Sequence, residues 1–485
     1  MRRALILTAL LAMGLFVASS VVMAQEKPAE STAGGTFTLD LLGRSDVASS
    51  KFQEYREIPK GVSIPFMNLF ATNSTVDFNL IAQHVARSDQ RYTGWANFNF
   101  VGIGFDYNQT PHNMGNDARV IWNETNQGEW SLSQTLRQAI AASADATPSA
   151  GRTYPYYQTL LSPTFADANT VNLSALRQRG AVDFDFSQKL PFNLDFTYMR
   201  ELKSGYRGQA GGDILGSFSP VVDVPAPLNE ITQDYGVRLE YPLKANKLGN
   251  VHASFNRNTY DNRAESLRVD NPFRPVDVAY TTATSNPGGG PATALFSTAP
   301  DNSANTTKVG VFLKFKKQTR VSADVSMASW NQNAAFLPYG SNTTVFTPSG
   351  QNASLTASLQ QPSFNGKIDT TTLNFGFVSR PVEGLGIRIR YRTYDLTNKT
   401  ARYVITGDES GSPDRSWSPA DAPNAEAPYG HGTAIPYDTT TKVFSASASY
   451  DFKALTVEGN FRTADLSRTY REATSGRDSG GGLAA

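Results

Sequence analysis

Alternation with a period of two, sustained over runs of about ten residues, constrains this chain more than anything else in it. Residues 192 to 198 set Phe192, Leu194, Phe196 and Tyr198 against Asn193, Asp195 and Thr197. Residues 387 to 392 set Ile387, Ile389 and Tyr391 against Arg388, Arg390 and Arg392. Successive side chains of a strand point to opposite faces, so each run greases one surface and wets the other. A sheet of such strands is built to stand between lipid and water.

The runs come in pairs. A first strand is expected at 36 to 44, followed by strands at 74 to 86 and 92 to 108 about the turn Ser88-Asp89-Gln90. A bulge is expected in the third of these, where the apolar phase shifts from Phe98 and Phe100 to Ile103, Phe105 and Tyr107. Hairpins follow at 182 to 188 with 192 to 201, 232 to 241 with 249 to 260, and 307 to 316 with 319 to 331. The last two are 368 to 379 with 385 to 396, and 441 to 452 with 454 to 465. Turns within the pairs hold Pro191, Pro242, Gly249, Pro381, Gly384 and Gly386, as tight connections require. Between pairs run long hydrophilic loops near 109 to 181, 202 to 231, 261 to 306, 332 to 367 and 397 to 440. A short helix is expected at 127 to 142 from the spacing of Leu132, Leu136 and Ile140.

Loops of that length argue against a compact soluble domain and suit an outer-membrane barrel, whose periplasmic turns are short and extracellular loops long. If the first strand leaves the periplasm, every expected short turn falls on the periplasmic side. The predicted fold is therefore all-β: an antiparallel transmembrane β-barrel over 36 to 465. About thirteen strands are legible, an odd number where single-chain bacterial barrels have even ones, so the barrel is expected to be incomplete. A flexible tail is expected at 466 to 485.

The first 24 residues carry Arg2 and Arg3, an apolar stretch from Ala4 to Val22, and Val22-Met23-Ala24 before a polar segment. That is the pattern of a cleaved export signal, with a periplasmic segment expected at 25 to 35. Charged residues make up 18%, with 44 basic against 43 acidic, so no basic face advertises nucleic acid. The chain has no cysteine, which excludes disulfides, thiolate metal sites and a covalently attached c-type haem. His84, His112, His252 and His431 show no metal-ligand spacing, and no Ser-His-Asp constellation is readable. No metal, directly bound cofactor or catalytic activity is expected.

Residues 50 to 59, SKFQEYREIP, and the stretch from Gly104 to Arg119, GFDYNQTPHNMGNDAR, resemble the MtrB/PioB family of outer-membrane barrels. The residues that carry the likeness are Glu54, Tyr55, Arg56, Pro59, Asp106, Tyr107, Pro111, His112 and Arg119. The resemblance implies a barrel that sheathes a periplasmic multihaem c-type cytochrome, so that electrons cross the outer membrane on haems held by the partner. It also implies that the legible strands are half of such a barrel. The cysteine pair of well-known members has no counterpart in this cysteine-free chain. Without the resemblance, the residues specify an outer-membrane barrel, for which a porin-like channel or transporter of polar solutes is the other function.

Candidate partner-facing residues lie on the wet faces: Arg388, Arg390 and Arg392, with Lys314 and Lys316, and Asp195 among the acids. They could grip the carboxylates of a partner. Equally, a wet lumen simply requires charges of mixed sign. The Glu54, Arg56 and Glu57 segment reads either as a docking patch or as a loop paired with itself.

Overall fold

The computed structural model describes residues 31–43, 49–145, 159, 162–166, 168–187, 190–211, 222–244, 247–278, 290–346, 350–359, 361–401, 403–406, 431–434 and 436–470. The expected export signal lies outside the described residues, as do residues 25–30 and 471–485. In chain order, β1 (Thr32–Leu42), β2 (Gly61–Thr72), β3 (Val76–Val85), β4 (Arg91–Phe98) and β5 (Gly102–Val120) start the main sheet. The hairpin of β6 (Asn123–Asn126) and β7 (Glu129–Ser131) leaves it, and helix α1 (Gln134–Asp145) follows. β8 (Asn169–Asp185), β9 (Asn193–Gly211), β10 (Val222–Leu243) and β11 (Gly249–Asn262) rejoin the sheet, and β12 (Ser266–Asp270) and β13 (Thr293–Ser297) depart again. β14 (Asn302–Lys314), β15 (Arg320–Gln332), β16 (Gly366–Ser379) and β17 (Leu385–Asn398) continue it. A separate ribbon of β18 (Tyr403–Thr406) and β19 (His431–Ala434) precedes β20 (Tyr437–Phe452) and β21 (Leu455–Tyr470).

Fifteen of these strands form one sheet in which spatial order follows chain order, from β1 to β21. Every pairing in it is antiparallel. Fifteen replaces the expected thirteen or so for two reasons. The first is β2, whose sequence GVSIPFMNLFAT is apolar on both faces and carries Pro65, so it shows no alternation. Its pairing with β3 is regular on either side of Pro65, and His84, which stands opposite, takes a positive φ of 52°. The second is the expected single strand at 92 to 108. It is two strands joined by a tight turn, in which the Phe98 N–H donates to the Val101 carbonyl at 2.8 Å. The phase shift read as a bulge is that turn.

The two differences have a consequence for sidedness. Following the up-and-down order from β1, residues 73–75, 99–101, 186–192, 244–248, 315–319, 380–384 and 453–454 connect strands at one end of the sheet. The turn 86–90 lies at the other end, with the long loops, contrary to the periplasmic side expected for it. The later turns keep their expected side because the strand that alternation hid and the turn it hid cancel in parity.

β10 runs for 22 residues, whereas about 9–11 suffice to cross a bilayer, so the central strands project beyond it. The projecting ends of β8 to β10 carry a cap built from two loops. Strands β13, β12, β7 and β6 form its small sheet in that order. Its core packs Trp122, Trp130, Leu267 and Val269 against Val224 and Ala226 of β10. The expected helix at 127 to 142 starts later, at Gln134, because Glu129 to Ser131 belong to β7 and leave Leu132 in the cap's core. Arg137 on α1 is buried and ties the two loops together, donating to the carbonyls of Asn271, Arg274 and Ala292 and lying 3.5 Å from Asp270. The main cluster of buried apolar residues thus sits in this cap and the adjoining strands, while Phe78, Leu80 and Ala82 of β3 and Tyr92 of β4 are buried apart from it.

Candidate functional site

Register sorts the sheet's side chains into two continuous faces. Along one row, Phe184 of β8 stands beside Phe196 of β9, Phe196 beside Val237 of β10, and Val237 beside Phe255 of β11. The adjacent row runs Leu194, Leu239, Ala253, Val309, Val325 and Leu373. These side chains are open to the surroundings: Val309 is 52% exposed, Met327 58% and Phe461 60%. A contiguous apolar surface of that extent marks contact with an apolar medium. On β10, Tyr235 and Tyr241 bracket Val237 and Leu239, in the manner of the aromatic girdles at the edges of a membrane's hydrocarbon layer.

The opposite face is polar, and over β4 to β15 most of its cations are paired; Lys314, Arg320 and the acids Asp183 and Asp185 have no ion pair among the described residues. Asp106 lies 3.2 Å from Arg91 and 3.7 Å from Arg179. Glu201 meets Arg177 at 2.5 Å and Lys203 at 3.7 Å, and Lys203 also reaches Glu230 at 3.5 Å. Asp324 receives His252 at 3.0 Å and Lys308 at 3.4 Å. Arg238 meets Glu240 at 2.7 Å, and Asp195 stands directly across from Arg238 in the register. Most of these contacts join neighbouring strands, Glu201–Lys203 and Arg238–Glu240 lie within one strand, and His252 reaches Asp324 across β14, so mixed charge makes the face wet and also cross-links it.

Arg388, Arg390 and Arg392 depart from that pattern. All three lie on the polar face of β17 and are exposed, as the alternation requires. Their register partners are Val378, Gly376 and Asn374 on β16, and Ser447, Ser445 and Val443 on β20. None of these is charged, and among the described residues no carboxylate lies within 4.0 Å of the three guanidinium groups. Lys314 is the last residue of β14, with its ammonium 5.5 Å from the centre of the Phe312 ring. Lys316 corrects the expected inward stripe: β14 ends before it, and it lies in the 315–319 turn.

The two motif segments, far apart in sequence, meet in space. β5 outruns β4, whose pairing stops at Arg91 with Asn108. The edge so uncovered is taken by residues 50–60: the Asn113 N–H donates to the Glu54 carbonyl at 2.8 Å, and the Asn113 amide donates to the Gln53 carbonyl at 2.6 Å. Covering an unpaired edge removes a template for wrong pairing. Tyr55 stacks on His112 with ring centres 4.7 Å apart, and its hydroxyl lies 3.2 Å from His112 Nε2. Glu54 bonds Lys51 at 2.5 Å and lies 3.6 Å from His112. That hydrogen bond from Lys51, with the nearby His112, holds the Glu54 carboxyl below its ordinary range. Arg56 donates to the Phe52 carbonyl and covers its ring, and Glu57 accepts from the Ser88 N–H at 2.6 Å.

Of the other motif residues, Pro59 ends the covering segment, Pro111 is buried on β5, and the Tyr107 hydroxyl donates to Gln109 at 3.0 Å. Arg119 donates to the carbonyls of Phe165 and Ala166. The structure therefore places Glu54, Tyr55 and His112 together and the three arginines elsewhere on the sheet. Sequence reasoning did not find Arg137, whose helical position gives no hint of burial. Among the described residues, no group of three or more His, Asp and Glu side chains could hold a metal ion.

A family model described as outer membrane beta-barrel porin, MtrB/PioB, matches residues 47–484. The chain is 22% identical over 422 residues to outer membrane protein MtrB of Shewanella baltica (strain OS185), a match that covers 84% of this chain and 52% of that protein. It thus spans about half the length of the curated relative. Among solved structures, the copper transporter OprC has a TM-score of 0.32 at 11% identity, covering 85% of this chain and 55% of its own. A loop-deletion mutant of OmpT, an outer membrane protein of Vibrio cholerae, has a TM-score of 0.28 at 9% identity, covering 92% and 100%. At those scores the two structures carry no argument.

Proposed function

Since the chain belongs to the MtrB/PioB family of outer-membrane β-barrels, we propose that it is a noncatalytic scaffold sheathing a multihaem c-type cytochrome, which carries electrons across the outer membrane. The observation that supports this most is the division of one sheet into an apolar face open to lipid and a polar face that offers unpaired cations. A sheath needs both: lipid contact outside, and inside a hydrated surface able to hold a protein. With no cysteine, this chain has no c-type haem attachment of its own, so the redox groups belong to the partner.

The protein's own contribution is positional. Strand pairing fixes the wall, the cross-strand ion pairs hold the polar face in one arrangement, and the apolar face excludes lipid from the interior. Reconstituted with the cytochrome in liposomes, the barrel should carry electrons from an enclosed reductant to an external acceptor. The barrel alone should not. A haem-free barrel that conducts small solutes in its native membrane would favour the second reading, a porin-like channel, which the family's description as porins supports.

A further inference from the structure

We propose that Arg388, Arg390 and Arg392 form the docking ladder for the acidic surface of a folded protein that enters the barrel from the periplasm. The proposal rests on the sheath reading and names the surface on which the sheath holds its cargo. Its starting point is the contrast on one polar face. Arg91, Arg177, Arg179, Lys203 and Lys308 each meet a carboxylate on the same or a neighbouring strand. The β17 arginines face Val378, Gly376 and Asn374 on one side and Ser447, Ser445 and Val443 on the other.

The lack of an ion pair does not depend on what lies beyond β21, and the nearest acids, Asp451 and Glu458, share a pocket with Arg388 alone of the three, at the turn end of the ladder. Both neighbours of β17 are in place, and β21 is two strands away. At about 4.8 Å per strand, a side chain from a strand beyond β21 starts roughly 14 Å from β17, past the reach of an ion pair. Arg462 of β21, which stands across from Ser445, extends the same positive surface outward.

Spacing and position identify the occupant's chemistry. Alternate residues of a strand lie about 6.6 Å apart, so the three guanidinium groups span on the order of 13 Å. One small anion cannot meet all three; an array of carboxylates on a protein surface can, each through a bidentate pair. The ladder also begins near the 380–384 turn, among the short turns that face the periplasm in such barrels, rather than near the long loops. Small neighbours such as Gly376 and Ser445 leave it room for a rigid surface.

The test uses the full-length barrel in isolated outer membranes, with folding checked by heat-dependent gel mobility. Wild type should retain a protein that salt releases progressively and that mass spectrometry identifies as acidic on its surface. Arg388→Ser, Arg390→Ser and Arg392→Ser combined should cut retention by about tenfold or more, and the corresponding lysine variants should keep most of it. A haem protein held equally by wild type and serine variant would overturn the ladder and leave the sheath reading standing. A haem-free acidic protein lost from the serine variant would support the ladder and sink the cytochrome. Wild-type barrels without any bound protein, whose anion conductance falls in the serine variant, would overturn both.

Discussion

Phe196 and Asp195 are chain neighbours whose surroundings differ as much as any pair in the molecule. Phe196 lies in the apolar row between Phe184 and Val237, while Asp195 faces Arg238 on the polar side. Phe196→Arg should therefore cost about 2–4 kcal/mol at the bilayer midplane, since the charge has no water to reach. Asp195→Asn exchanges one hydrated polar group for another and should cost under about 1 kcal/mol. Urea titrations of the barrel folded in lipid vesicles measure both; equal costs would mean that the faces are assigned wrongly. Gly249 has a different constraint. Its φ of +130° and a Cβ position that collides with the Phe312 carbonyl leave no room for any side chain where β11 begins against β14. Gly249→Ala should destabilise the same folding transition by at least about 1 kcal/mol, and an unchanged midpoint would show that this strand pairing is looser than the register implies.

Elements differed in how far their sequences revealed them. β9 and β17 were legible because polar and apolar residues alternate without interruption, which is the direct signature of two solvents on two faces. β2 was not, because Phe66, Met67, Leu69 and Phe70 put apolar groups on both faces and Pro65 breaks the run. The β4–β5 turn escaped because Phe98, Phe100 and Val101 carry hydrophobic residues through it in place of turn formers. The three arginines could be assigned to the wet face by alternation, but their lack of partners depends on which strands flank β17. The stacking of Tyr55 on His112 joins residues 57 apart in sequence, a distance over which periodicity says nothing.

The cap shows how long loops become an element. Asp277, in the loop that carries β12 and β13, fastens to it a third loop, the one between β15 and β16, accepting the Ala292 N–H at 2.7 Å and the N–H and hydroxyl of Thr343. Burial alone raises its carboxyl pKa, but those hydrogen bonds outweigh it and hold the group below the ordinary range. The stabilisation is therefore full above about pH 4, the unfolded value, and is lost as pH falls through the lower folded value. Fluorescence of Trp122 and Trp130, both in the cap's core, should report loosening over that acidic range. Asp277→Asn should weaken the cap at neutral pH and remove this contribution to the pH dependence; an unaltered acid transition would place the cap's acid sensitivity elsewhere.

At the scale of the whole molecule, the sheet's two ends decide what a membrane would accept. Among the described residues β1 pairs only with β2, and β21 only with β20. Lipid offers no hydrogen-bond partner, and each backbone group left unpaired there costs several kcal/mol. The apolar outward residues of β21, such as Val457 and Phe461, put that strand at the same depth as its neighbours, so its second edge cannot face hydrocarbon bare. In the membrane both outer edges must therefore find partners, whether each other or further strands. Amide exchange distinguishes the cases. A strand paired on one side alone protects alternate amides, because in an antiparallel ladder every second residue turns its N–H away from that neighbour. Paired on both sides, β21 should protect successive amides from Thr456 to Ser467 to the same degree as β10, when the full-length protein is measured in vesicles. An alternating pattern confined to β21 would mean that the edge stays open and that the sheet does not close.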